Sequence, residues 1–289
     1  MLEVYRQVMT DYLALPVLEG EKTEGERFPG ADNTYTCETM MSDKKALQAG
    51  TSHYLGQNFA KAFEIQFQNK EGEMEFAYTT SWGVSTRLIG AIIMTHSDND
   101  GLILPPRIAP VKAVIIPIST NDEKITGEIM PKAEALQQEL NKAVGGRFVK
   151  IDTQFHMRPG DRFFSHLQKG VPLRLELGEK EFAGEKIRAV RRDTGEKIDI
   201  AWADAATAVP ALLEDIQRNL YQRALDFRLA NTHKAADMEE FKKLLEKEGG
   251  FIEVFFGGTK EDEKAIKEAT GATPRCFPFA HAGERGKCF

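Results

Sequence analysis

The chain has 289 residues, of which 42% are hydrophobic and 28% charged, and its formal net charge at pH 7 is −6. These proportions are typical of soluble globular proteins, and the length allows two or three domains, each with its own core. Nonspecific nucleic-acid binding is not expected of an acidic chain, although a basic groove in one domain stays compatible with an RNA partner. No apolar run approaches the roughly 18 residues of a membrane span, and the N-terminus lacks the apolar core of a signal peptide.

The three cysteines, Cys37, Cys276 and Cys288, lie far apart in the chain. An odd number at such spacing argues against a disulfide framework and favours a reducing, cytoplasmic compartment. Unlinked thiols without a special role are the expected interpretation.

The first third of the chain predicts an antiparallel sheet followed by a helix. Apolar and polar residues alternate on either side of Asn69–Gly72, which predicts a β-hairpin with one buried face. After Gly83, apolar side chains recur at helical spacing, at Val84, Leu88, Ala91, Ile92 and Thr95. The segment Leu104–Pro110 contains a proline pair that disfavours helix and central strand, and it indicates a domain boundary.

The middle of the chain alternates predicted strands with predicted helices. A helix over residues 133–143 is expected to end at Gly145-Gly146. Short apolar runs predict strands over residues 111–117, 148–151, 171–177 and 187–190. This alternation indicates an α/β layer. From Thr207 the pattern is mainly helical, with a strand over residues 251–256 and a further helix over residues 260–269.

Two segments suit a nucleotide pocket: the polar loop Gly50–Phe59 and the strand-to-helix segment Ser81–Asp98. Gly83 would let a flat base approach the backbone, and Arg87 at the helix start could reach triphosphate oxygens. Ser81–Asp98 resembles motif 3 of the class II aminoacyl-tRNA synthetases. Gly50–Phe59 is similar to the proline-pocket loop of prolyl-tRNA synthetases of the type shared by archaea, eukaryotes and some bacteria. Further matches follow in the family's order, at Lys22–Met41, Leu104–Pro110, Lys169–Gly178 and Arg191–Lys197.

The resemblance covers nearly all of the chain and implies a multidomain fold of the α+β and α/β classes. Residues 1–107 are expected to form the C-terminal part of the class II catalytic domain, an antiparallel sheet with the proline loop and motif 3. Residues 108–206 are expected to form an α/β anticodon-binding domain. Residues 207–289 are expected to form a small α+β C-terminal domain that is truncated.

In function, the resemblance implies ATP-dependent activation of L-proline to prolyl-adenylate and transfer of proline to tRNA(Pro). ATP would bring Mg²⁺, the full-length enzyme would be a homodimer in the cytoplasm, and no membrane would be involved. Motifs 1 and 2 and a Thr-x-Glu loop are not found, so the chain alone is expected not to form prolyl-adenylate.

Arg87 is, by resemblance, the catalytic motif 3 arginine that contacts the terminal phosphate of ATP. The alternative is a surface arginine paired with a carboxylate. Gln48, Thr51, Gly83 and Ser85 match positions that contact the nucleotide.

His53 and Trp82 match the proline site. The alternatives are a structural histidine and ordinary core packing. Arg174 and Lys197 match contacts to anticodon bases, and arginine forks suit guanine edges. Leu167 stands where the family has a base-reading glutamate.

His96 and Asp98 could suggest a metal cluster, but a polar turn that ends a helix is the favoured interpretation. Many relatives bind structural zinc near the C-terminus through four cysteines. Here Phe256 and Glu261 occupy two of those positions and only Cys288 matches, so no zinc site is predicted.

The alternative function is a non-catalytic tRNA-binding or regulatory paralogue. Retention of the pocket loop together with motif 3 argues against it. The cluster Lys186–Arg192 is the richest local source of positive charge, although such clusters are more often solvated faces than binding sites.

Overall fold

The computed structural model describes residues 1–289 with their side chains, except the side chain of Asp122. The strands, in chain order, are β1 Leu18–Glu21, β2 Asn33–Met40, β3 Ala46–Gly56, β4 Gln66–Gln68, β5 Met74–Phe76, β6 Thr79–Gly83, β7 Ala113–Pro117, β8 Val149–Ile151, β9 Leu173–Leu177, β10 Lys186–Arg191, β11 Lys197–Ala201, β12 Thr232–Lys234, β13 Phe251–Glu253 and β14 Phe277–Pro278. The α-helices are α1 Leu2–Gln7, α2 Asn58–Ala62, α3 Arg87–His96, α4 Asp122–Lys124, α5 Met130–Ala143, α6 Pro159–Gln168, α7 Glu179–Ala183, α8 Ala205–Ala230, α9 Met238–Lys247 and α10 Lys260–Thr270. Short π-helices span Val8–Tyr12 and Ile125–Ile129, and 3₁₀ turns span Trp202–Asp204 and Phe279–His281.

The chain divides into two compact units. The first contains residues 1–10, 15–95 and 225–289, and the second contains residues 11–14 and 96–224. This division differs from the three predicted segments, because the last 65 residues group with the N-terminal sheet (225 to 289 inclusive). The cause is strand pairing: β14 adds to β1 as an antiparallel neighbour, with Gly20 opposite Pro278.

The first unit is built on a five-stranded sheet in the order β14-β1-β2-β3-β6, and its strand pairs are antiparallel. In the register, Thr36 lies opposite Thr51, and Thr51 lies opposite Gly83. Because side chains alternate between the two faces of a strand, these three residues share one face of the sheet. The antiparallel strand pairs, together with helix α3 that follows β6, confirm the predicted antiparallel sheet that leads into a helix.

The hairpin β4–β5 is found where the alternating pattern predicts it, with Phe67 opposite Glu75. Its predicted buried face is wrong: Phe63 is 71% exposed, Met74 61% and Tyr78 68%. An alternating pattern indicates which side chains share a face, but burial also requires a neighbouring layer. In the structure described here, no such layer covers this face of the hairpin.

The second unit has a mixed five-stranded sheet in the order β11-β10-β9-β7-β8. Strand β7 is parallel to both β8 and β9, whereas β10 is antiparallel to β9 and β11. One face packs on a core that includes Leu136 and Leu140 of α5 and Ile216 and Leu220 of α8. The four strands predicted for this region are present, and the unpredicted β11 follows the turn at Gly195.

The C-terminal segment of the first unit contains a parallel pair, β12 with β13. Helix α9 begins at an Asp237 cap that accepts from the Glu240 amide, and α10 begins with a capping box formed by Thr259 and Asp262. The predicted helix over residues 260–269 is confirmed. The strand predicted for residues 251–256 is shorter and ends at Glu253.

Candidate functional site

Strands β3 and β6 bring several of the predicted site residues to one face of the first sheet. Thr51 lies opposite Gly83, and His53 lies opposite Ser81. A Cβ added at Gly83 would meet no heavy atom within 4 Å, so the space above this backbone is open. Such an opening lets a flat group approach the strand closely.

Arg87 is the first residue of α3 and lies at the rim of this face. Its Nη1 donates to the carbonyl oxygen of Gln48 at 3.2 Å, and its backbone amide donates to Oγ of Ser85 at 3.3 Å. The side chain is exposed. The ion pairs found among the described side chains do not include Arg87, so the carboxylate pairing considered as its alternative role is not seen there.

His53 is half-buried between polar and aromatic neighbours. Its Nδ1 lies 3.0 Å from Oγ1 of Thr34, and its ring centroid lies 4.7 Å from that of Phe28. Burial lowers the pKa of His53 because the charged imidazolium loses hydration. The imidazole is therefore mainly neutral at pH 7, when one ring nitrogen can donate and the other can accept a hydrogen bond.

Trp82 does not share the face of His53. It lies opposite Ser52 in the register, and its Nε1 donates to Oγ1 of Thr80 at 3.2 Å. Residues 81 and 82 are adjacent, so their side chains point to opposite faces. The prediction places Trp82 in the same pocket as His53, but the strand register puts the two side chains on opposite faces of the sheet. The linear motif alone does not reveal this difference. Phe28, which the sequence did not single out, is the aromatic side chain that contacts His53.

A buried ionic cluster extends this face toward β1. Glu38 is fully buried and accepts from Lys22 Nζ, Arg275 Nη2 and Thr36 Oγ1, each at 2.8 Å. Two cations and a hydroxyl thus satisfy one carboxylate, as a buried charge requires. Sequence analysis missed this cluster because Arg275 is 237 positions from Glu38. A faint signal was available in Glu38 itself, which is the one charged residue in the sequence of β2.

The two predicted anticodon contacts lie on one face of the second sheet. Arg174 and Lys197 both lie opposite Val190, one on each side, which separates them by two strand spacings or about 10 Å. The Arg174 guanidinium lies 4.3 Å from the Phe163 ring centroid and pairs with Glu176 at 2.9 Å. Lys197 is exposed.

The nearby basic cluster Lys186–Arg192 is largely committed to ion pairs within the second unit. Arg191 pairs with Asp193 at 2.8 Å and also with Asp215, and Arg192 pairs with Asp98 at 2.7 Å. Because these pairs already satisfy the guanidinium groups, a structural role is the better interpretation of this part of the cluster.

His96 and Asp98 each contact a protein group rather than each other. His96 is buried, with Nε2 2.9 Å from the Leu13 carbonyl oxygen, and burial lowers its pKa to about 4. The paired Arg192 lowers the pKa of Asp98 to about 2. Within the part of the chain that the structure describes, no group of three or more His, Cys, Asp or Glu residues is arranged to hold a metal. The interpretation as a polar turn that ends α3 is the one the geometry favours.

The C-terminal positions considered for zinc have other neighbours. Cys288 Sγ accepts from the Gly257 amide at 3.4 Å, and the Phe256 ring packs against Phe289 with centroids 6.5 Å apart. The absence of zinc stays a prediction. None of the helices described here combines the length and apolar character needed to cross a membrane.

Two family models match the chain. A model described as "Anticodon binding domain" matches residues 112–212, and one described as "Prolyl-tRNA synthetase, C-terminal" matches residues 238–289. The predicted segments for these regions are 108–206 and 207–289.

Similar curated proteins are named proline–tRNA ligase. That of Amoebophilus asiaticus is 46% identical over 289 residues, which covers 100% of this chain and 58% of the relative. That of Bacteroides fragilis is 48% identical over 292 residues with the same two coverages. That of Chlorobium phaeobacteroides is 48% identical over 279 residues, covering 96% of this chain and 56% of the relative. The chain thus spans a little over half the length of these relatives, and it belongs to the prolyl-tRNA synthetase family.

Proposed function

We propose that the chain supplies part of the ATP and proline site, together with the anticodon-reading surface, of a proline–tRNA ligase. That enzyme activates L-proline with ATP to prolyl-adenylate and transfers proline to tRNA(Pro). The observation that carries the proposal is the convergence of Thr51, His53 and Gly83 on one sheet face, with Arg87 at its rim.

Amino-acid activation requires positioning and charge stabilisation more than a protein nucleophile, because the substrate carboxylate attacks the α-phosphate. Arg87 is suited to hold the terminal phosphate, since its guanidinium is exposed and tethered only to a carbonyl oxygen. Gly83 leaves room for the adenine ring, and Gln48, Thr51 and Ser85 offer polar atoms beside it. Mg²⁺ would enter with ATP as a counter-ion to the phosphates.

For proline, the neutral imidazole of His53 and the adjacent Phe28 ring form a suitable lining. Proline has no polar side chain, so selectivity must come from ring shape and from contacts to its amino and carboxylate groups. Trp82, on the opposite face, would act indirectly by fixing the position of β6.

For tRNA(Pro), Arg174 and Lys197 offer cationic donors on one sheet face. The Arg174 guanidinium lies over the Phe163 ring, 4.3 Å from its centroid, and an arginine supported in this way suits recognition of an unpaired base edge. We further propose that the complete enzyme is a cytoplasmic homodimer that contains no zinc.

The test is calorimetric titration of ATP with Mg²⁺ into the chain and its Arg87→Ala variant. Loss of the phosphate contact should weaken binding by about tenfold or more, the equivalent of about 1.4 kcal/mol. Arg188→Ala serves as the matched control, because this arginine pairs with Asp199 in the second unit. Equal ATP affinity for the wild type and Arg87→Ala would refute the proposed role.

A further inference from the structure

Thr34 contacts two residues of the proposed proline site at once. Its Oγ1 lies 3.0 Å from Nδ1 of His53 and accepts from the backbone amide of Phe28 at 3.1 Å. Thr34 on β2 lies directly opposite His53 on β3 in the register, so the two side chains share one face of the sheet. Thr34 is only 2% exposed, and its hydroxyl therefore depends on protein groups for its hydrogen bonds.

The direction of these hydrogen bonds follows from the protons available. A hydroxyl group has one proton to donate and two lone pairs that accept. The Phe28 amide can only donate, so it occupies a lone pair of Oγ1. Among the described residues, the other hydrogen bond of Oγ1 is to Nδ1 of His53. If Nδ1 carried a proton, the buried O–H of Thr34 would have no acceptor, which is unfavourable. The hydroxyl therefore donates to Nδ1.

This direction decides where the imidazole proton lies. A neutral ring that accepts at Nδ1 carries its proton on Nε2. The hydrogen bonds of His53 among the described residues involve Nδ1 alone, so Nε2–H is left for a ligand. A donor at this position favours an acceptor, such as a carboxylate oxygen of proline, over the N–H groups of the proline ring.

Thr34 is itself held in place by the sheet. Its carbonyl oxygen accepts from the Lys22 amide at 2.8 Å, and β2 pairs with β1 on one side and with β3 on the other. The same hydroxyl anchors the Phe28 backbone, and the Phe28 ring centroid lies 4.7 Å from that of His53. A binding residue is oriented most precisely when its supporting partner belongs to a rigid element.

We propose that Thr34 is a positioning residue of the proline site. Its hydroxyl fixes His53 as the tautomer that carries the proton on Nε2, and it anchors Phe28 beside the imidazole ring. The inference rests on the proposed function, because only that function gives His53 a substrate to contact. A purely structural threonine would contribute to stability without determining which nitrogen of His53 carries the proton.

The experiment is ¹⁵N NMR of the imidazole nitrogens of the chain at a pH well above 6.5, where His53 is neutral. His53→Gln assigns the signals. We expect a protonated Nε2 and an unprotonated Nδ1 in the wild type, with widely separated shifts. In Thr34→Val the two shifts should approach each other, because the ring then exchanges between tautomers. Exchange of the Phe28 amide should become about tenfold faster, because its acceptor is lost.

Two further variants separate the proposed role from loss of a buried hydroxyl in general. Thr34→Ser keeps the hydroxyl and should restore both the wild-type shifts of His53 and the slow exchange of the Phe28 amide. Thr39→Val is the matched control, since Thr39 is also a fully buried residue of β2 and its hydroxyl donates to the Pro16 carbonyl oxygen at 3.2 Å. It should lower stability and leave the His53 shifts unchanged.

A wild-type His53 that carries its proton on Nδ1 would overturn the proposal, even if Thr34→Val does not fold. Identical His53 shifts in the wild type and Thr34→Val would also overturn it, as would equal changes in Thr34→Val and Thr39→Val. Titration of ATP into Arg87→Ala tests the phosphate contact separately. Failure of the proposed function and failure of the role of Thr34 therefore give different results.

Discussion

At the scale of single residues, buried charges in the first unit can be tested without any ligand. Lys22 and Glu38 are both almost fully buried and 2.8 Å apart. Removing one partner leaves the other charge without compensation in a low-dielectric environment. We therefore expect Lys22→Ala to lower the free energy of unfolding by about 3–5 kcal/mol.

Chemical denaturation of the variant and the wild type would measure this change. Lys45→Ala is the matched control, since this lysine is 78% exposed and pairs only with Asp43 at 3.4 Å. Its effect should lie within about 0.5 kcal/mol. A similar, small effect for both substitutions would show that Arg275 and Thr36 alone satisfy Glu38.

His96 makes the stability of the second unit sensitive to pH. Its folded-state pKa is about 4, below the ordinary histidine value of 6.5, because burial disfavours the charged ring. The unfolded chain therefore binds a proton at His96 more readily than the folded chain does. Above pH 6.5 the residue is neutral in both states and costs no stability. As the pH falls from 6.5 toward 4, protonation of the unfolded chain lowers the free energy of unfolding. The expected total is about 3 kcal/mol.

The measurement is unfolding free energy of wild type and His96→Gln between pH 7 and pH 4. The variant should lose less stability across this range, even if it is less stable at pH 7, because glutamine does not titrate. Arg223, whose guanidinium donates to the His96 carbonyl oxygen at 2.9 Å, adds a further charge that opposes protonation. Parallel pH curves for the two proteins would contradict the assignment.

At the scale of elements, the proposed role of the face shared by β9, β10 and β11 can be tested by RNA binding. Arg174→Ala should weaken binding of a tRNA(Pro) anticodon stem-loop by about 1–3 kcal/mol, because an arginine that contacts a base edge carries that much discrimination. Lys197→Ala should weaken binding and reduce the salt dependence. Fluorescence anisotropy at several salt concentrations would measure both effects.

Lys234→Ala provides the control for this series, since Lys234 is 80% exposed and belongs to β12 of the first unit. It should change neither the affinity nor the salt slope. Base reading would be supported if Arg174→Ala loses as much affinity as the wild type loses when the stem-loop contains no guanine. If the variant still distinguishes loops with and without guanine as the wild type does, Arg174 only packs against Phe163.

The same elements indicate how far sequence patterns reach. The runs that became β7 and β9 and the helix α5 were predictable because their periodicity and flanking glycines are local properties. Strand β11 was not predicted, because its alternation depends on a partner strand to make one face buried. The hairpin β4–β5 was predicted correctly in position and wrongly in burial for the same reason.

At the scale of the whole molecule, the expected incompleteness of the active site gives one further prediction. The chain alone should show no proline-dependent ATP–pyrophosphate exchange above background, because the chain lacks recognisable motifs for the α-phosphate and the proline amine. The full-length Bacteroides fragilis relative is the positive control for the assay. Robust exchange by the isolated chain would require a different set of activating residues.

The sequence by itself indicated the family and the order of the motifs, and it predicted the residues of the pocket loop, since these depend on residue identity and local spacing. Only the tertiary structure decided that Trp82 and His53 lie on opposite faces, because this follows from the register of β3 with β6. It also decided that Arg275 neutralises Glu38 and that Arg191 and Arg192 serve ion pairs within the second unit. Contacts between residues distant in the chain arise from packing, and no local pattern in the sequence encodes them.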